Sequence, residues 1–125
     1  DLRKVVVDTY QIAGKTDHIS PWKACYAGAT VLGGNNEFVL TPTGHVQSII
    51  YPPDNPRAAY FTNPDTTGDP DTWLKNATKH SESWWPHWVD WLLERSGGTR
   101  EATTEPGNDR YPPIAAAPGN YVLGQ

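Results

Sequence analysis

The chain has 125 residues, a formal net charge of −4, 37% hydrophobic and 19% charged residues, and one cysteine. This length suits one domain or a part of one, and the acidic balance gives no indication of a nucleic-acid-binding protein. One cysteine excludes an internal disulfide framework and the cysteine-rich zinc patterns, and no apolar run reaches the roughly 18 residues that a membrane span requires.

The first predicted unit is a strand followed by a turn and a helix. The β-branched and aromatic run from Val5 to Ile12 predicts a strand that is buried on both faces. Residues 14–17 are typical of a turn. Ser20 and Pro21 then predict a helix start, with the serine as cap and the proline at the first position. We expect this helix to extend to residue 32 and to be closed by the glycines at 33 and 34.

The second predicted unit begins with the short apolar segment Glu37–Leu40, which predicts another buried strand. A turn follows at residues 41–44, and residues 45–50 favour a short helix. Strand, helix, strand and helix at this spacing predict an α/β fold with a parallel pair and a right-handed crossover. Two parallel strands alone are not stable, so we expect the rest of the sheet to come from another chain or from a preceding part of the same protein. The chain also contains no methionine, which favours a fragment or a processed subunit.

The last third of the chain predicts two helices and a tail. Asp69-Pro70 and Ser83 each favour a helix start, and glycines at 97 and 98 close the second helix. Residues 97–125 are rich in glycine and proline, which predicts an extended tail that packs on residues 1–96. The expected anchors of this tail are Tyr111, Ile114, Tyr121 and Val122.

A tryptophan-rich stripe runs along the second of these helices. Trp84, Trp88 and Trp91 recur at helical spacing and form a wide apolar face. We expect this face to be core or interface, and a surface that binds acyl groups or rings is the alternative.

Asp17 and His45 are the strongest candidates for chemistry, because each follows the end of a predicted parallel strand. Catalytic groups gather at the carboxyl ends of such strands, and neighbouring strands would bring the two side chains to one edge. An aspartate there can accept the Nδ1–H bond of an imidazole and fix its tautomer, which makes the histidine a general base. The alternative is that Asp17 only caps the turn before Ser20 and that His45 caps a short helix.

The other chemically able side chains fit a site less well. Cys25 lies inside the predicted helix and lacks the sharp turn that a nucleophile requires, so we expect it to pack in the core. The serines lack a G-x-S-x-G frame. His18 can line the site or shape the turn. His80 and His87 lack metal-ligand spacing, so we expect no metal site.

Several separated motifs, in order along nearly the whole chain, resemble the C-terminal part of polyhydroxyalkanoate synthases. These enzymes polymerise (R)-3-hydroxyacyl-CoA into polyester and release CoA. The segment from Phe38 to Ile50 looks most like the class I and class II enzymes. The motifs are Gly14-Lys15-Thr16-Asp17-His18-Ile19-Ser20-Pro21-Trp22, Phe38-Val39-Leu40 with Gly44-His45-Val46, Asn55-Pro56, Tyr60-Phe61-Thr62-Asn63, Ser83-Trp84-Trp85-Pro86-His87-Trp88, Tyr111-Pro112-Pro113-Ile114 and Ala117-Pro118-Gly119-Asn120-Tyr121-Val122.

The resemblance implies an α/β-hydrolase catalytic domain, of which this chain is the last parallel strands and helices. It also implies a Cys-His-Asp triad with Asp17 as the acid and His45 as the base. The family's nucleophilic cysteine has no counterpart here, since Cys25 lies outside a lipase-like box, so the resemblance predicts that this chain alone is inactive. The alternatives are the matching part of a related depolymerase or esterase, and a non-catalytic, granule-associated interaction module.

The resemblance further implies the surroundings of the enzyme. The substrate is a coenzyme A thioester, and no cofactor or metal takes part. The expected partners are the growing polyester chain, the remaining N-terminal part of the synthase and a second copy in a homodimer, with neither nucleic acid nor a membrane span. The expected location is cytoplasmic, at the surface of polyester granules.

Overall fold

The computed structural model describes residues 1–47 and 49–124 and shows one mixed sheet with helices on both faces. This arrangement confirms the predicted α/β class. The strands lie side by side in chain order, with the first two parallel and the later pairs antiparallel. The strands are β1 (Thr9–Gly14), β2 (Asn36–Thr41), β3 (Tyr60–Thr62) and β4 (Thr78–His80), and the helices are α1 (Trp22–Thr30), α2 (Pro70–Asn76) and α3 (Trp84–Ser96).

The parallel pair β1–β2 is the part of the fold that the sequence predicts best. The pairing runs in register from Thr9 opposite Asn36 to Gly14 opposite Thr41. Both strands therefore end at the same edge of the sheet. The sequence did not predict β3 and β4, because strands of three residues carry too little periodicity to be distinguished from loops.

The sheet is covered on both faces because successive strand side chains point to opposite sides. Phe38 and Leu40 of β2 pack against α1 and α2, where Trp73 is 1% exposed. Val39, between them in sequence, belongs instead to the cluster that includes Trp84 of α3. Complete burial of such side chains contributes roughly 1.5–3 kcal/mol each. The prediction of a buried strand over residues 37–40 is confirmed.

The first strand begins later than predicted. Val6 and Val7 are 70% and 64% exposed and lie outside β1. Residues 3–7 run instead alongside Gly33 and Gly34, where an added Cβ would overlap the backbone of Arg3 and of Val7. The two glycines thus permit a close approach of two backbone segments. The prediction that they form a left-handed helix cap is wrong, because α1 already ends at Thr30.

Helix boundaries follow the predicted caps in two of three cases. The Asp69 side chain accepts from the first N–H groups of α2, with Pro70 at the first position, and Ser83 caps α3. Gly97, at φ 76°, closes α3 in the left-handed conformation. Ser20 makes no cap, since α1 begins after Pro21 without a side-chain hydrogen bond.

Two further segments differ from regular structure. The helix predicted over residues 45–50 is a series of turns in its described part, and Ser48 lies outside the described residues. The predicted tail anchors are exposed, with Ile114 at 98% and Tyr121 at 96%, so these side chains do not hold the tail against the sheet. The division of the chain after residue 96 stays a prediction. None of the helices described has the length and hydropathy that a membrane crossing needs.

Candidate active site

The carboxylate of Asp17 and the imidazole of His45 meet just beyond the ends of β1 and β2. Asp17 Oδ2 lies 2.9 Å from His45 Nδ1. The Asp17 side chain is 6% exposed, whereas the His45 side chain is 46% exposed. One group is therefore shielded by its loop while its partner faces outward, which is the arrangement of an orienting acid and a reactive base.

The parallel register brings the two loops together. Lys15 N donates to Thr41 O at 2.8 Å, which extends the β1–β2 ladder by one hydrogen bond past the end of β1. Asp17 N donates to Gly14 O at 3.1 Å, so the first loop turns at once and brings the carboxylate over the strand end. The position of Asp17 is thus a direct consequence of where β1 stops.

Asp17 also shapes its own loop. Its Oδ1 accepts hydrogen bonds from Ile19 N at 2.8 Å and from Ser20 N at 3.0 Å. The hydrogen bond from the N–H of Ser20 is the largest cause that lowers the pKa of Asp17 from 3.8 to about 2. Burial opposes this shift, and the hydrogen bonds from His45 and Ile19 add to it. The carboxylate is therefore ionised at neutral pH.

The charge of Asp17 decides the tautomer of His45. An ionised carboxylate can only accept hydrogen bonds, so the hydrogen between the two groups belongs to Nδ1 of His45. In the neutral ring this leaves Nε2 as the nitrogen with a free lone pair. The pair can consequently take up a proton at Nε2 while Asp17 stabilises the resulting imidazolium.

The other candidate residues lie apart from this hydrogen bond. His18 is exposed in the loop next to Asp17. Cys25 is partly buried inside α1 and packs against the core cluster that contains Phe38, and its Sγ lies 3.9 Å from the Ser20 carbonyl oxygen. This environment matches the expected packing role of the thiol.

Three side chains link α3 to the sheet through contacts that the sequence patterns did not predict. Tyr10 Oη and His87 Nδ1 are 2.9 Å apart, and His87 Nε2 lies 3.8 Å from a carboxylate oxygen of Glu37. Burial is the main cause that raises the pKa of Tyr10. Because these contacts join residues that are far apart in sequence, no local spacing could have predicted them.

A further contact reaches the loop after His45. Trp84 Nε1 donates to the carbonyl oxygen of Ile49 at 3.2 Å, and Ile49 packs against the cluster around Trp84. Trp84, the first member of the tryptophan stripe, is therefore core, as expected, and it also holds the chain four residues beyond the candidate base. Trp88 and Trp91 are only partly buried. The sequence gives one general indication of such a contact, because a buried indole N–H needs a hydrogen-bond acceptor.

A cleft of about 560 Å³ lies at the opposite end of the strands. It is bordered by the start of β2 and by α3, and it includes neither Asp17 nor His45. Among residues 1–47 and 49–124, no three histidine, cysteine or acidic side chains are grouped as metal ligands. The hydrogen-bonded pair at the strand ends therefore remains the arrangement with the clearest chemical capacity.

Comparison with known proteins gives no match to a family model. The chain is 50% identical over 123 residues to poly(3-hydroxyalkanoate) polymerase 2 of Ectopseudomonas oleovorans, which covers 98% of the chain and 22% of that protein. It is 40% identical over 122 residues to the poly(3-hydroxyalkanoate) polymerase subunit PhaC of Cupriavidus necator, covering 98% of the chain and 21% of the relative. With the poly(3-hydroxyalkanoate) polymerase of Methylorubrum extorquens, the identity is 37% over 124 residues. The chain thus spans about a fifth of the length of these relatives, and the resemblance predicted from its motifs is confirmed.

Proposed function

Because this chain belongs, as one segment, to the poly(3-hydroxyalkanoate) polymerase family, we propose that it supplies the aspartate and the histidine of a Cys-His-Asp triad. The enzyme it serves polymerises (R)-3-hydroxyacyl-CoA into polyester and releases CoA. The observation that carries the proposal is the 2.9 Å contact between Asp17 Oδ2 and His45 Nδ1 at the ends of two parallel strands.

The proposed chemistry uses the free nitrogen of His45. Nε2 takes the proton of a cysteine thiol from the rest of the polymerase, and the thiolate attacks the thioester carbonyl of the substrate. The carbon–sulfur bond to CoA breaks, and the leaving thiolate recovers the proton from the imidazolium. The hydroxyl of the bound 3-hydroxyacyl group, or of the chain end, then attacks the carbonyl of the next acyl-CoA. The ester bond forms, the carbon–sulfur bond to CoA breaks, and the hydroxyl proton passes through His45 to the departing thiolate.

The nucleophile in this scheme is a cysteine outside the present chain. Cys25 is a poor alternative, because it sits within a helix and packs against the core rather than on an exposed turn. About four-fifths of each relative lies beyond the matched segment, which leaves room for the nucleophile there. The proposal accordingly assigns Asp17 and His45 to this chain and the thiol to the remainder.

The proposed parent fold is an α/β-hydrolase sheet that continues past β1. Within the described residues β1 pairs with β2 alone, and its outer edge is unpaired. An unpaired edge exposes backbone N–H and C=O groups and is a template for another strand. We assign that edge to a strand from the rest of the polymerase. A homodimer at the surface of cytoplasmic polyester granules, acting without a further cofactor, completes the proposal.

The test is a chimera in which this chain replaces the matching segment of the Ectopseudomonas oleovorans polymerase 2. We expect the chimera to release CoA from short-chain or medium-chain (R)-3-hydroxyacyl-CoA and to form polyester, and we expect His45→Ala to abolish both. Asp71→Asn serves as a control, since this exposed carboxylate forms a surface ion pair with Lys23. Polymerisation that survives His45→Ala would refute the proposal, and release of free hydroxy acid instead of polymer would point to an esterase.

A further inference from the structure

The loops that carry Asp17 and His45 are in contact through their backbones. A Cβ on Gly14 would lie 2.5 Å from the carbonyl oxygen of Thr43, and a Cβ on Gly44 would lie 2.8 Å from the carbonyl oxygen of Thr16. Real Cβ atoms essentially never come within 3.0 Å of such atoms. Each glycine thus faces a backbone group of the opposite loop, which cannot rotate away as a side chain could.

The residue that follows the second glycine has an unusual backbone conformation. His45 has a φ of 26°, in the left-handed region that side-chain-bearing residues seldom adopt. Such a conformation persists only where the surrounding structure determines it, and it is concentrated at functional sites. The close backbone contact at Gly44, the residue directly before His45, is the described feature nearest to this left-handed conformation.

A buried hydrogen bond closes the two strands just before the loops. Thr41 Oγ1 donates to the carbonyl oxygen of Ala13 at 3.1 Å, and both residues are at most 4% exposed. The bond crosses from the last residue of β2 to the residue before the end of β1. This hydrogen bond holds the ends of β1 and β2 at a fixed separation. The backbone contacts between the two loops depend on that separation.

We propose that Gly14 and Gly44 are positioning residues, whose lack of side chains lets the two loops interlock and so sets the contact between Asp17 and His45. The inference rests on the same residue pair as the proposed function, but it concerns geometry and not turnover. A side chain at either glycine would push the loops apart, lengthen the Asp17–His45 contact and release the imidazole from its Nδ1–H tautomer.

The experiment measures that tautomer in the 125-residue chain by the ¹⁵N shifts of the His45 ring, at an alkaline pH where the imidazole is neutral. We expect the Nδ1–H form in the unaltered chain and a shift to the Nε2–H form in Gly44→Ala and in Gly14→Ala. Asp17→Asn provides the reference for a lost acceptor. Gly28→Ala is the matched control, because a Cβ at this glycine of α1 meets no atom within 4 Å, and it should keep the Nδ1–H form.

A folded Gly44→Ala or Gly14→Ala chain that keeps the Nδ1–H form would overturn the proposal. If neither chain folds, the same measurement on Thr41→Val decides, because this change removes the hydroxyl that donates to the Ala13 carbonyl and preserves the shape of the side chain. A loss of Nδ1–H population in Thr41→Val supports the interlock, and an unaltered population refutes it. Since no turnover is measured, failure of the proposed polymerase activity would leave these results unchanged, and the two failures can be distinguished.

Discussion

The carboxylate of Asp17 holds the imidazole of His45 at 2.9 Å through one oxygen and accepts two backbone N–H groups through the other. The two roles considered from the sequence, a turn cap and an orienting acid, are therefore compatible in one side chain. The backbone hydrogen bonds hold the carboxylate through an oxygen other than the one that contacts the histidine.

The lowered pKa of Asp17 predicts a pH dependence of stability. A carboxyl group with a depressed pKa in the folded state stabilises the fold above its ordinary pKa, and this contribution is lost as the pH falls through the folded value. For Asp17 these limits are 3.8 and about 2. We expect Asp17→Asn to lower the unfolding free energy at neutral pH, and the difference from the unaltered chain to shrink between about pH 4 and pH 2. Urea unfolding of both chains across that pH range measures the difference in unfolding free energy. A difference that does not change with pH would contradict the lowered pKa of Asp17.

The isolated chain should be inactive towards its proposed substrate. His45 can act as a general base and Asp17 can orient it, but covalent catalysis needs a nucleophile that the pair can activate. We expect CoA release from (R)-3-hydroxybutyryl-CoA to equal that of a His45→Ala control. Turnover well above that control would show that a group in this chain, such as Cys25, acts as the nucleophile.

The contact between Trp84 and Ile49 predicts a small but specific effect. Trp84→Phe removes the indole N–H that donates to the Ile49 carbonyl and keeps most of the aromatic packing. We expect the unfolding free energy to fall by about 0.5–1.5 kcal/mol, because the Ile49 carbonyl loses its donor and must bind water instead. Trp88→Phe is the matched control, because no indole hydrogen bond is described for Trp88 on the same helix. Equal losses in the two variants would show that packing alone accounts for the effect.

The two sheet faces predict where truncation is costly. Phe38 is 1% exposed and lies with its ring 5.2 Å from that of Trp73, so Phe38→Ala should lower the unfolding free energy by roughly 3–5 kcal/mol. Val6→Ala should change it by less than about 0.5 kcal/mol, because this valine is 70% exposed. Thermal or urea unfolding of both variants checks this contrast. A large loss of unfolding free energy in Val6→Ala would support the longer first strand that the sequence predicted.

The success of the sequence-based predictions depended on how local the signal was. The caps at Asp69 and Ser83 involve only neighbouring residues, and the β-rich segments around Ile12 and Val39 are each long enough to indicate a strand. The chain order of strand, turn and helix then indicated a parallel pair, and with it the meeting of Asp17 and His45 at one edge.

The misses have tertiary causes. The glycines at 33 and 34 fit a left-handed cap and a close backbone approach equally well, and only the position of residues 3–7 decides between them. The valines before β1 satisfy every local criterion for a strand, yet pairing begins at Thr9. The contacts of His87 and Trp84 join distant segments, for which a single sequence contains no spacing signal.

The central claim, that Asp17 orients a catalytic His45, is tested most directly by the rate of CoA release in the chimeric polymerase carrying Asp17→Asn. The amide keeps the shape of the side chain and can still accept the N–H groups of Ile19 and Ser20, but it no longer fixes the Nδ1–H tautomer. We predict a fall in rate of roughly 10⁴-fold, as for the loss of the acid in other triads, with the Asp71→Asn control unchanged. A chimera in which Asp17→Asn retains the rate of the Asp71→Asn control would contradict the claim.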